Sequence, residues 1–364
     1  MLKEGNNMTK SILYDIEIMH GAKMGEKNGV TLPRFFSAEN IEADAVKNKC
    51  VMYDLSDKVK LLIKGKDSLK FANYLGTKVI EKNKITKTII LNDEANIIDI
   101  VKIYYLDDNN ILVVIGLASF EGTYNYILEK AIDYDVTITS IQDELYQLAF
   151  MGIKSKEVLQ NYLNKYYKDA HYKPNLDEFI PSAFELRDDE IKIIYHENRL
   201  ALTYGIMGTS EAIKKVYTEL SMEPNCLLGG MDSYNILRKR ARRLEYGVDI
   251  DSTINPYEAS LEALVDFSHD FIGREKLLSL SMMSPSKRFI GVEFEAKNII
   301  NNSFEIYYYG SIVGRVTSVC HETSTTCIGV GFIDTQVLEK SYSHNDSLRI
   351  KVGNDYIALK IVEM

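Results

Sequence analysis

Tryptophan is absent from this chain of 364 residues, and cysteine occurs only four times. No run of apolar residues approaches the length that a membrane-spanning helix needs. The cysteines are scattered without a CxxC pair, at Cys50, Cys226, Cys320 and Cys327. We therefore expect reduced thiols, no zinc site and no insertion into a membrane.

The chain also lacks an excess of positive charge, since acidic residues outnumber basic ones and the formal net charge is −9. General binding to nucleic acid is not expected of so acidic a chain. The first residues, MLKEGNNMTKSILYDI, lack the apolar core of a signal peptide, which predicts a cytoplasmic protein. A length of 364 residues, with 46% hydrophobic and 26% charged residues, is typical of a globular protein with two or three domains.

The most patterned part of the chain is 237–278, LRKRARRLEYGVDIDSTINPYEASLEALVDFSHDFIGREKLL. A basic helix is predicted to end at Gly247, since glycine is the usual residue just past a helix. Pro256 keeps the residue before it extended. A second helix would follow with Leu261 and Leu264 on its inner side. Propensity alone therefore predicts a helix, a turn and a second helix here, and it indicates no catalytic or binding role.

This stretch resembles the aminomethyltransferase (glycine cleavage T-protein) family and its tetrahydrofolate-dependent demethylase relatives. Four submotifs follow in the family's order: an arginine-bearing helix, YG-x-D-(I/M)-D, NP-(F/Y)-E-x-x-L and DF-(I/V)-G-(R/K)-E-x-L. Further matches are GAKM at 21–24, YDLS at 53–56 and GRVTS at 314–318. The resemblance extends over nearly the whole chain.

The resemblance implies an α+β fold in which three domains form a cloverleaf around a central folate channel. Two domains would be α+β units with antiparallel sheets, and the third a small C-terminal β-barrel. The short strands after 286, separated by turn residues, are typical of such a barrel. We predict a discontinuous α+β domain at 8–57 plus 144–280, an inserted α+β domain at 58–143 and the β-barrel domain at 286–364.

The positions that would hold folate depart from the family pattern. The family's strand GGIIDD, whose second aspartate is the important one, reads ANIIDI here, with Asp99 kept and Ile100 in place of the second acid. Because strand neighbours point to opposite faces, we expect Asp99 to face away from the channel unless a bulge shifts the strand. A family asparagine falls on Ile115 and the folate-holding glutamate on Ala201, while Glu197 keeps an earlier acidic position.

The basic helix supplies further candidates. A family arginine falls on Tyr234 and a pocket tyrosine on Arg243. Arg240 and Arg243, one turn apart on a predicted helix, could form a rebuilt anion pocket. The alternative is a solvated basic face in which one arginine, such as Arg238, is buried and paired with an acid. The predicted site residues are Asp99 and Glu197 for catalysis, and Tyr234, Arg240, Arg243 and Tyr246 for cofactor binding.

Other groups of residues give weaker indications of a functional site. Cys320-His321-Glu322 with Cys327 could suggest a metal, but it lacks a second close pair, and we predict no metal site. His196-Glu197 is either an acid–base pair or a turn between two strands. Distant relatives with this scaffold act in iron–sulfur assembly and carry KGCYxGQ, but the comparable region here lacks both the cysteine and the glutamine.

The favoured function is therefore a tetrahydrofolate-dependent one-carbon transferase that acts on a small N-, S- or O-methyl donor. It would be a methyltransferase, a demethylase or an aminomethyltransferase, with tetrahydrofolate as cofactor and a carrier protein as a candidate partner. The alternative is a non-catalytic or repurposed binding protein for another anionic ligand or a protein partner. Ile100, Ile115 and Ala201, which replace polar groups, favour the alternative.

Overall fold

The computed structural model describes residues 9–166, 176, 184–187, 191–196, 203–297, 299, 303–341 and 348–362. Helices are interspersed with runs of consecutive strands in this part of the chain. Its helices are α1 (Tyr14–Met19), α2 (Glu39–Ala45), α3 (Ser68–Leu75), α4 (Phe120–Lys130), α5 (Ser155–Tyr166), α6 (Ser210–Leu220), α7 (Met231–Arg240), α8 (Arg274–Ser281) and α9 (Thr335–Ser341). Among the described residues, no helix is long and apolar enough to cross a membrane.

The strands are short and form four sheets. In the first half they are β1 (Thr9–Lys10), β2 (Lys23–Lys27), β3 (Val30–Phe35), β4 (Cys50–Asp54), β5 (Lys58–Lys64), β6 (Ile85–Leu91), β7 (Ile97–Asp107), β8 (Asn110–Gly116), β9 (Thr137–Ser140) and β10 (Tyr146–Met151). In the second half they are β11 (Phe184–Arg187), β12 (Ile191–His196), β13 (Thr203–Gly208), β14 (Cys226–Gly229), β15 (Lys287–Glu295), β16 (Phe304–Tyr308), β17 (Ser311–His321), β18 (Thr326–Asp334), β19 (Leu348–Val352), β20 (Asp355–Ala358) and β21 (Lys360–Val362).

Two of the larger sheets carry helices. The five-stranded sheet has the order β6-β7-β8-β5-β9 and is antiparallel throughout. The six-stranded sheet has the order β11-β12-β13-β10-β4-β14, and of its strand pairs only β14 with β4 is parallel among the described residues. A small sheet, β1-β3-β2, precedes them in the chain. These are the mixed α+β units with antiparallel sheets that the resemblance implied.

The C-terminal sheet contains seven strands in the order β20-β19-β16-β17-β18-β15-β21. It curls into a half barrel around its own apolar core, which includes Val292, Ile306, Val316 and Ile350. β-Branched side chains pack well against neighbours on a pleated surface, which is why this stretch forms strands. The predicted domain boundaries, 8–57 plus 144–280, 58–143 and 286–364, remain a prediction.

One face of the five-stranded sheet is covered by helices. Val101 and Ile103 of β7 pack against Phe71 of α3 and Ile127 of α4, and all four are at most 1% exposed. Burying side chains of this size stabilises the fold by about 1.5–3 kcal/mol each. The other face of the sheet is therefore the one left to meet the six-stranded sheet.

The basic helix ends earlier than the sequence predicts. Helix α7 stops at Arg240, and Gly247 lies in the following loop with φ +79°. The break comes from Arg242, whose φ of +50° is left-handed and cannot continue a helix. The side chain of Arg242 lies over Gly291, where an added Cβ would come within 2.8 Å of it.

The second helix predicted around Leu261 is also wrong. The chain there forms only a 3₁₀ turn, Glu262–Leu264. The side chain of Asn255 accepts hydrogen bonds from the N–H groups of Tyr257 (2.9 Å) and Glu258 (3.1 Å), which favours a turn. Ser260 then adopts φ +54°, which stops any helix from continuing.

The sequence predicts a helix at 210–220 that is capped by Ser210. Helix α6 has these bounds, but Thr209 caps it instead of Ser210. The Thr209 hydroxyl accepts a hydrogen bond from Ala212 N–H at 3.3 Å. Threonine and serine have the same capping chemistry, so sequence alone could not choose between the two neighbours.

Candidate functional site

A cavity of about 370 Å³ lies between the five-stranded and six-stranded sheets. Residues of β6, β7 and β8 form one wall, residues of β10 and β13 the other, and α7 with its following loop borders both. This volume is in the range of small-molecule sites. Apolar lining residues include Ile85, Ile100, Val114, Ile115 and Met151. The charged lining residues are Lys58, Lys87, Asp99, Lys102, Arg243 and Glu245.

Asp99 lies at the edge of this cavity and is 2% exposed. Its Oδ1 accepts a hydrogen bond from the N–H of Ile100 (2.7 Å). Its Oδ2 accepts from the hydroxyls of Ser119 (2.6 Å) and Thr123 (3.1 Å). Burial raises the pKa of Asp99 to about 6, although these hydrogen bonds act in the opposite direction. A carboxyl group of this kind can exchange a proton near neutral pH.

The direction of Asp99 follows from the register of β7. A bulge before it is visible in the pairing with β6, where Ile90 opposes Asp99 but Leu91 opposes Ile97. Beyond that point Asp99 shares the face of Val101, toward α4. The carboxylate therefore faces the helix side, as strand alternation predicts, and still borders the cavity beside Ser119, which also lines it.

Arg238 is a structural residue of the loop that follows α7. It is 8% exposed, and its guanidinium forms an ion pair with Asp249 and donates a hydrogen bond to the carbonyl of Arg243 (2.7 Å). Its Nε lies 3.1 Å from Glu245 Oε2, without hydrogen-bond geometry. Asp249 also accepts a hydrogen bond from the hydroxyl of Thr317 at 2.7 Å. The YGVDID and GRVTS motifs thus meet in one buried network.

Arg240, which was predicted to bind the cofactor, is not among the residues that line the cavity. Its Nη1 lies 2.9 Å from Asp44 Oδ1, and its Nε lies 2.6 Å from Glu322 Oε2. These two carboxylates take up its charge. Because α7 ends at Arg240, Arg243 is not one helical turn further along the same face, and the predicted Arg240–Arg243 pocket does not form.

The other predicted binding residues line the cavity. They are Tyr234, Arg243 and Tyr246. The Tyr234 ring packs edge-on against the ring of Tyr53, with centroids 5.4 Å apart. Burial and the nearby Asp99 carboxylate raise the pKa of Tyr246. Their role in cofactor binding stays a prediction.

Two residues of the sequence prediction, Glu197 and Ala201, lie outside the described residues. Around the suggested Cys/His motif, Cys327 Sγ lies 3.5 Å from His321 Nδ1, and Glu322 is held by Arg240. Within the described ranges, no group of three His, Cys, Asp or Glu residues is placed to hold a metal ion.

The sequence reasoning missed the lysines of the cavity, Lys58, Lys87 and Lys102, and also Ser119. For two of these lysines, the sequence itself contains an indication that they face a polar space. Lys87 and Lys102 interrupt strands that are otherwise dominated by β-branched and aromatic residues, ITKTIIL and IIDIVKIYYLD. A lysine at such a position must reach water or another polar space, since a buried ammonium is costly.

Comparison with known proteins identifies similar sequences and a similar structure. A protein-family model described as the GCVT N-terminal domain matches residues 13–175. An aminomethyltransferase of Thermosipho melanesiensis is 26% identical over 361 residues, which cover 97% of this chain and 95% of the relative. One from Staphylococcus saprophyticus is 27% identical over 349 residues, which cover 92% of each chain. The chain is therefore similar to aminomethyltransferases along nearly its whole length.

A solved structure supports the fold of this chain. The crystal structure of the glycine cleavage system aminomethyltransferase T from Bartonella henselae superposes with a TM-score of 0.86 at 18% sequence identity. The match covers 98% of this chain and 97% of the Bartonella chain. The predicted multidomain α+β fold is therefore confirmed, and the curated relatives agree with the resemblance to aminomethyltransferases.

Proposed function

We propose that this chain is a tetrahydrofolate-dependent transferase that takes a methyl or aminomethyl group from a small N-, S- or O-linked donor. The observation that carries the proposal is the cavity between the two sheets, bordered by Asp99 and several cations, in a chain that is similar to aminomethyltransferases. A carrier protein that presents the donor would be consistent with this family. Acid–base work falls to Asp99, and Glu197 stays a second candidate.

The cavity fits the cofactor in chemical terms. A pterin ring needs flat apolar walls, which Ile100, Val114 and Ile115 provide. The carboxylates of its glutamate tail need cations, and Arg243 and Lys87 are present. When bound, tetrahydrofolate supplies a nucleophilic nitrogen that accepts the one-carbon unit.

Asp99 and Ser119 form the part of the site that can hold and move a proton. The Ser119 hydroxyl borders the cavity and lies 2.6 Å from Asp99 Oδ2. A proton that leaves the ligand at Ser119 can therefore pass to the carboxylate. With a pKa of about 6, Asp99 is mostly ionised at neutral pH and acts first as a base. Tyr234 and Tyr246 confine the ligand from the α7 side of the cavity.

Calorimetric titration with tetrahydrofolate tests this proposal. We expect micromolar binding, a free energy of about −8 kcal/mol. Ala118 lines the cavity on an exposed 3₁₀ turn, so Ala118→Phe fills the cavity with little strain in the fold. It should weaken binding at least about tenfold. Ile132→Phe, at a site 78% exposed and outside the cavity lining, is the control and should bind like the wild type.

The second candidate is a binding protein for another anion, which Ile100 and Ile115 in the cavity wall favour. Folate binding together with transfer from a methyl donor would exclude it. No binding at millimolar tetrahydrofolate would overturn the folate proposal and leave the second candidate.

A further inference from the structure

Gln147 of β10 presents a buried amide to the cavity between the two sheets. Its side chain lines the cavity, and the residue is 5% exposed. Among the described residues, Gln147 Oε1 has no hydrogen-bond partner. Burying a carbonyl oxygen without a donor costs stability, because the oxygen loses its hydrogen bonds to water. An N–H group of a ligand in the cavity would supply the missing donor.

Strand geometry fixes the direction of this amide. Alternate residues of β10, namely Gln147, Ala149 and Met151, line the cavity, while the residues between them pack in the core on the helix side. The main-chain carbonyl of Gln147 accepts a hydrogen bond from the N–H of Leu55 (3.1 Å), and Met207 of β13 is its partner in the antiparallel register. The main chain is held on both sides, so the amide stands on a rigid element.

The wall around the amide is apolar and has room for a flat group. Met207 shares a face with Gln147 as its direct partner, and it packs in one cluster with Ile85 and Val114 of the opposite sheet. Ile85 and Val114 also line the cavity, as does Gly205 of β13, which has no side chain. Next to apolar walls, a hydrogen bond to a fixed amide discriminates strongly between ligands.

Other amide side chains of the chain are used within the fold. Asn73 Oδ1 accepts a hydrogen bond from the N–H of Ile80 (2.9 Å), and its Nδ2 donates to the carbonyl of Leu69 (3.1 Å). Asn235 of α7 also has an amide oxygen without a partner among the described residues, but it is not part of the cavity lining. Gln147 thus combines an unused acceptor with a place in the wall of the cavity.

We propose that Gln147 is a specificity-determining residue that recognises a lactam edge of the ligand, a ring N–H beside a ring C=O. A carboxamide offers an acceptor beside a donor, so it pairs with a group that offers a donor beside an acceptor. A ring holds its N–H and C=O on the same side, whereas the amide of an open chain is trans and cannot pair with both. The inference rests on the proposed function, since the pterin ring of tetrahydrofolate carries such an edge, and it assigns that edge to Gln147.

Isothermal titration calorimetry of the full chain tests this assignment with three probes. Tetrahydropterin and guanosine carry the lactam edge, and p-aminobenzoylglutamate carries the glutamate tail without it. We expect at least one lactam probe to bind the wild type. Gln147→Met keeps the length of the side chain and should bind that probe at least about tenfold more weakly. Binding of p-aminobenzoylglutamate should be the same in both proteins.

Three results would overturn the role of Gln147. The first is equal binding of the lactam probe by the wild type and by Gln147→Met. The second is no binding of either lactam probe to the wild type. The third is an equal loss for p-aminobenzoylglutamate, which would indicate a damaged cavity and not a lost contact with the ring.

Thermal unfolding separates recognition from a structural role. Gln147→Met removes an acceptor that has no partner among the described residues, so the melting temperature should stay the same or rise. A fall in melting temperature together with lost binding would show that the amide holds the fold together, and would contradict the proposal. Asn235→Leu is the matched control, because it removes an unpartnered amide oxygen outside the cavity lining. It should bind the lactam probe like the wild type.

The two proposals can fail separately. If tetrahydrofolate binds equally well to the wild type and to Gln147→Met, the folate proposal stands and the role of Gln147 is wrong. If guanosine binds through Gln147 and tetrahydrofolate does not bind, the role of Gln147 stands and the folate proposal is wrong.

Discussion

At the scale of single residues, strand β7 places a buried carboxylate on one of its faces and side chains that line the cavity on the other. Asp99 faces the helix side and is held by hydroxyl groups, while Ile100 and Lys102 border the cavity. The alternation of a strand makes this division, because neighbouring side chains leave opposite faces. Ser119 connects the two sides, since it lines the cavity and donates a hydrogen bond to Asp99.

Removing the charge of Asp99 should remove the pH dependence of turnover. Asp99→Asn is expected to lower turnover on a methyl donor by about 10²–10⁴-fold, the usual contribution of a general base. In the wild type the rate should rise as pH rises through about 6, because the ionised carboxylate is the active form. Steady-state rates between pH 5 and pH 9 measure both effects.

Ser119→Ala tests whether the pKa of Asp99 sets the midpoint of the rate profile. The Ser119 hydrogen bond lowers the pKa of Asp99, so its loss should move the midpoint of the rate profile upward. Thr123→Ser keeps a hydroxyl at the other contact and should leave the midpoint where it is. An unchanged profile in Asp99→Asn would show that Asp99 does not move the proton.

At the scale of elements, the loop after α7 determines where Arg243 lies. Left-handed Arg242 ends the helix, and Arg238 then binds Asp249, Glu245 and the carbonyl of Arg243. The GRVTS strand contributes Thr317 and Ser318 to the same network. The basic helix is thus mainly a connection between the cavity and the C-terminal half barrel.

Arg238→Met should lower the free energy of unfolding by about 3–5 kcal/mol, because it leaves the buried Asp249 without its partner. Denaturant unfolding followed by far-ultraviolet circular dichroism measures this loss. Arg288→Met is the matched control, since Arg288 pairs with Glu262 at 3.6 Å on the surface. Its cost should be about 0–1 kcal/mol. Similar costs for the two variants would contradict the structural role of Arg238.

At the scale of the whole molecule, the fold contains both a cavity between two sheets and a carboxylic acid side chain that is shielded from solvent. Glu17 of α1 is 0% exposed, and among the described residues its carboxyl oxygens have no hydrogen-bond partner. Burial, with a smaller contribution from Asp54, raises its pKa to about 9. Glu17 is therefore protonated in the folded protein at neutral pH and becomes ionised on unfolding.

This group should make the protein less stable as pH rises. A raised acid pKa gives stability that is fully present below the unfolded pKa of 4.5 and is lost progressively up to about 9. Glu17→Gln keeps the neutral form at all pH values, so it should flatten the fall in melting temperature between pH 5 and pH 9. Differential scanning fluorimetry across that range measures the slope. The same slope in both proteins would mean that Glu17 is ionised in the folded state.

Several elements could be predicted from the sequence because their signals are local. Alternation predicts strands at 85–90, 97–105 and 111–115, and helical periodicity predicts helices at 120–131 and 210–220. Strands β6, β7 and β8 and helices α4 and α6 lie within two residues of these bounds, since both patterns act over neighbouring residues. The end of α7 could not be predicted, because it depends on Arg242 adopting a left-handed backbone over Gly291 of a distant strand.

The sequence by itself determined the resemblance to aminomethyltransferases, the fold class and several residues of the cavity, including Asp99, Arg243 and Tyr246. These follow from motifs, which are properties of short stretches. Only the tertiary structure decided which charges are compensated. Asp44 and Glu322 come from distant elements to neutralise Arg240, whereas Lys87 and Arg243 line the cavity and have no carboxylate within ion-pair distance among the described residues. An ion pair depends on distance in space, and distances between remote residues exist only once the chain has folded.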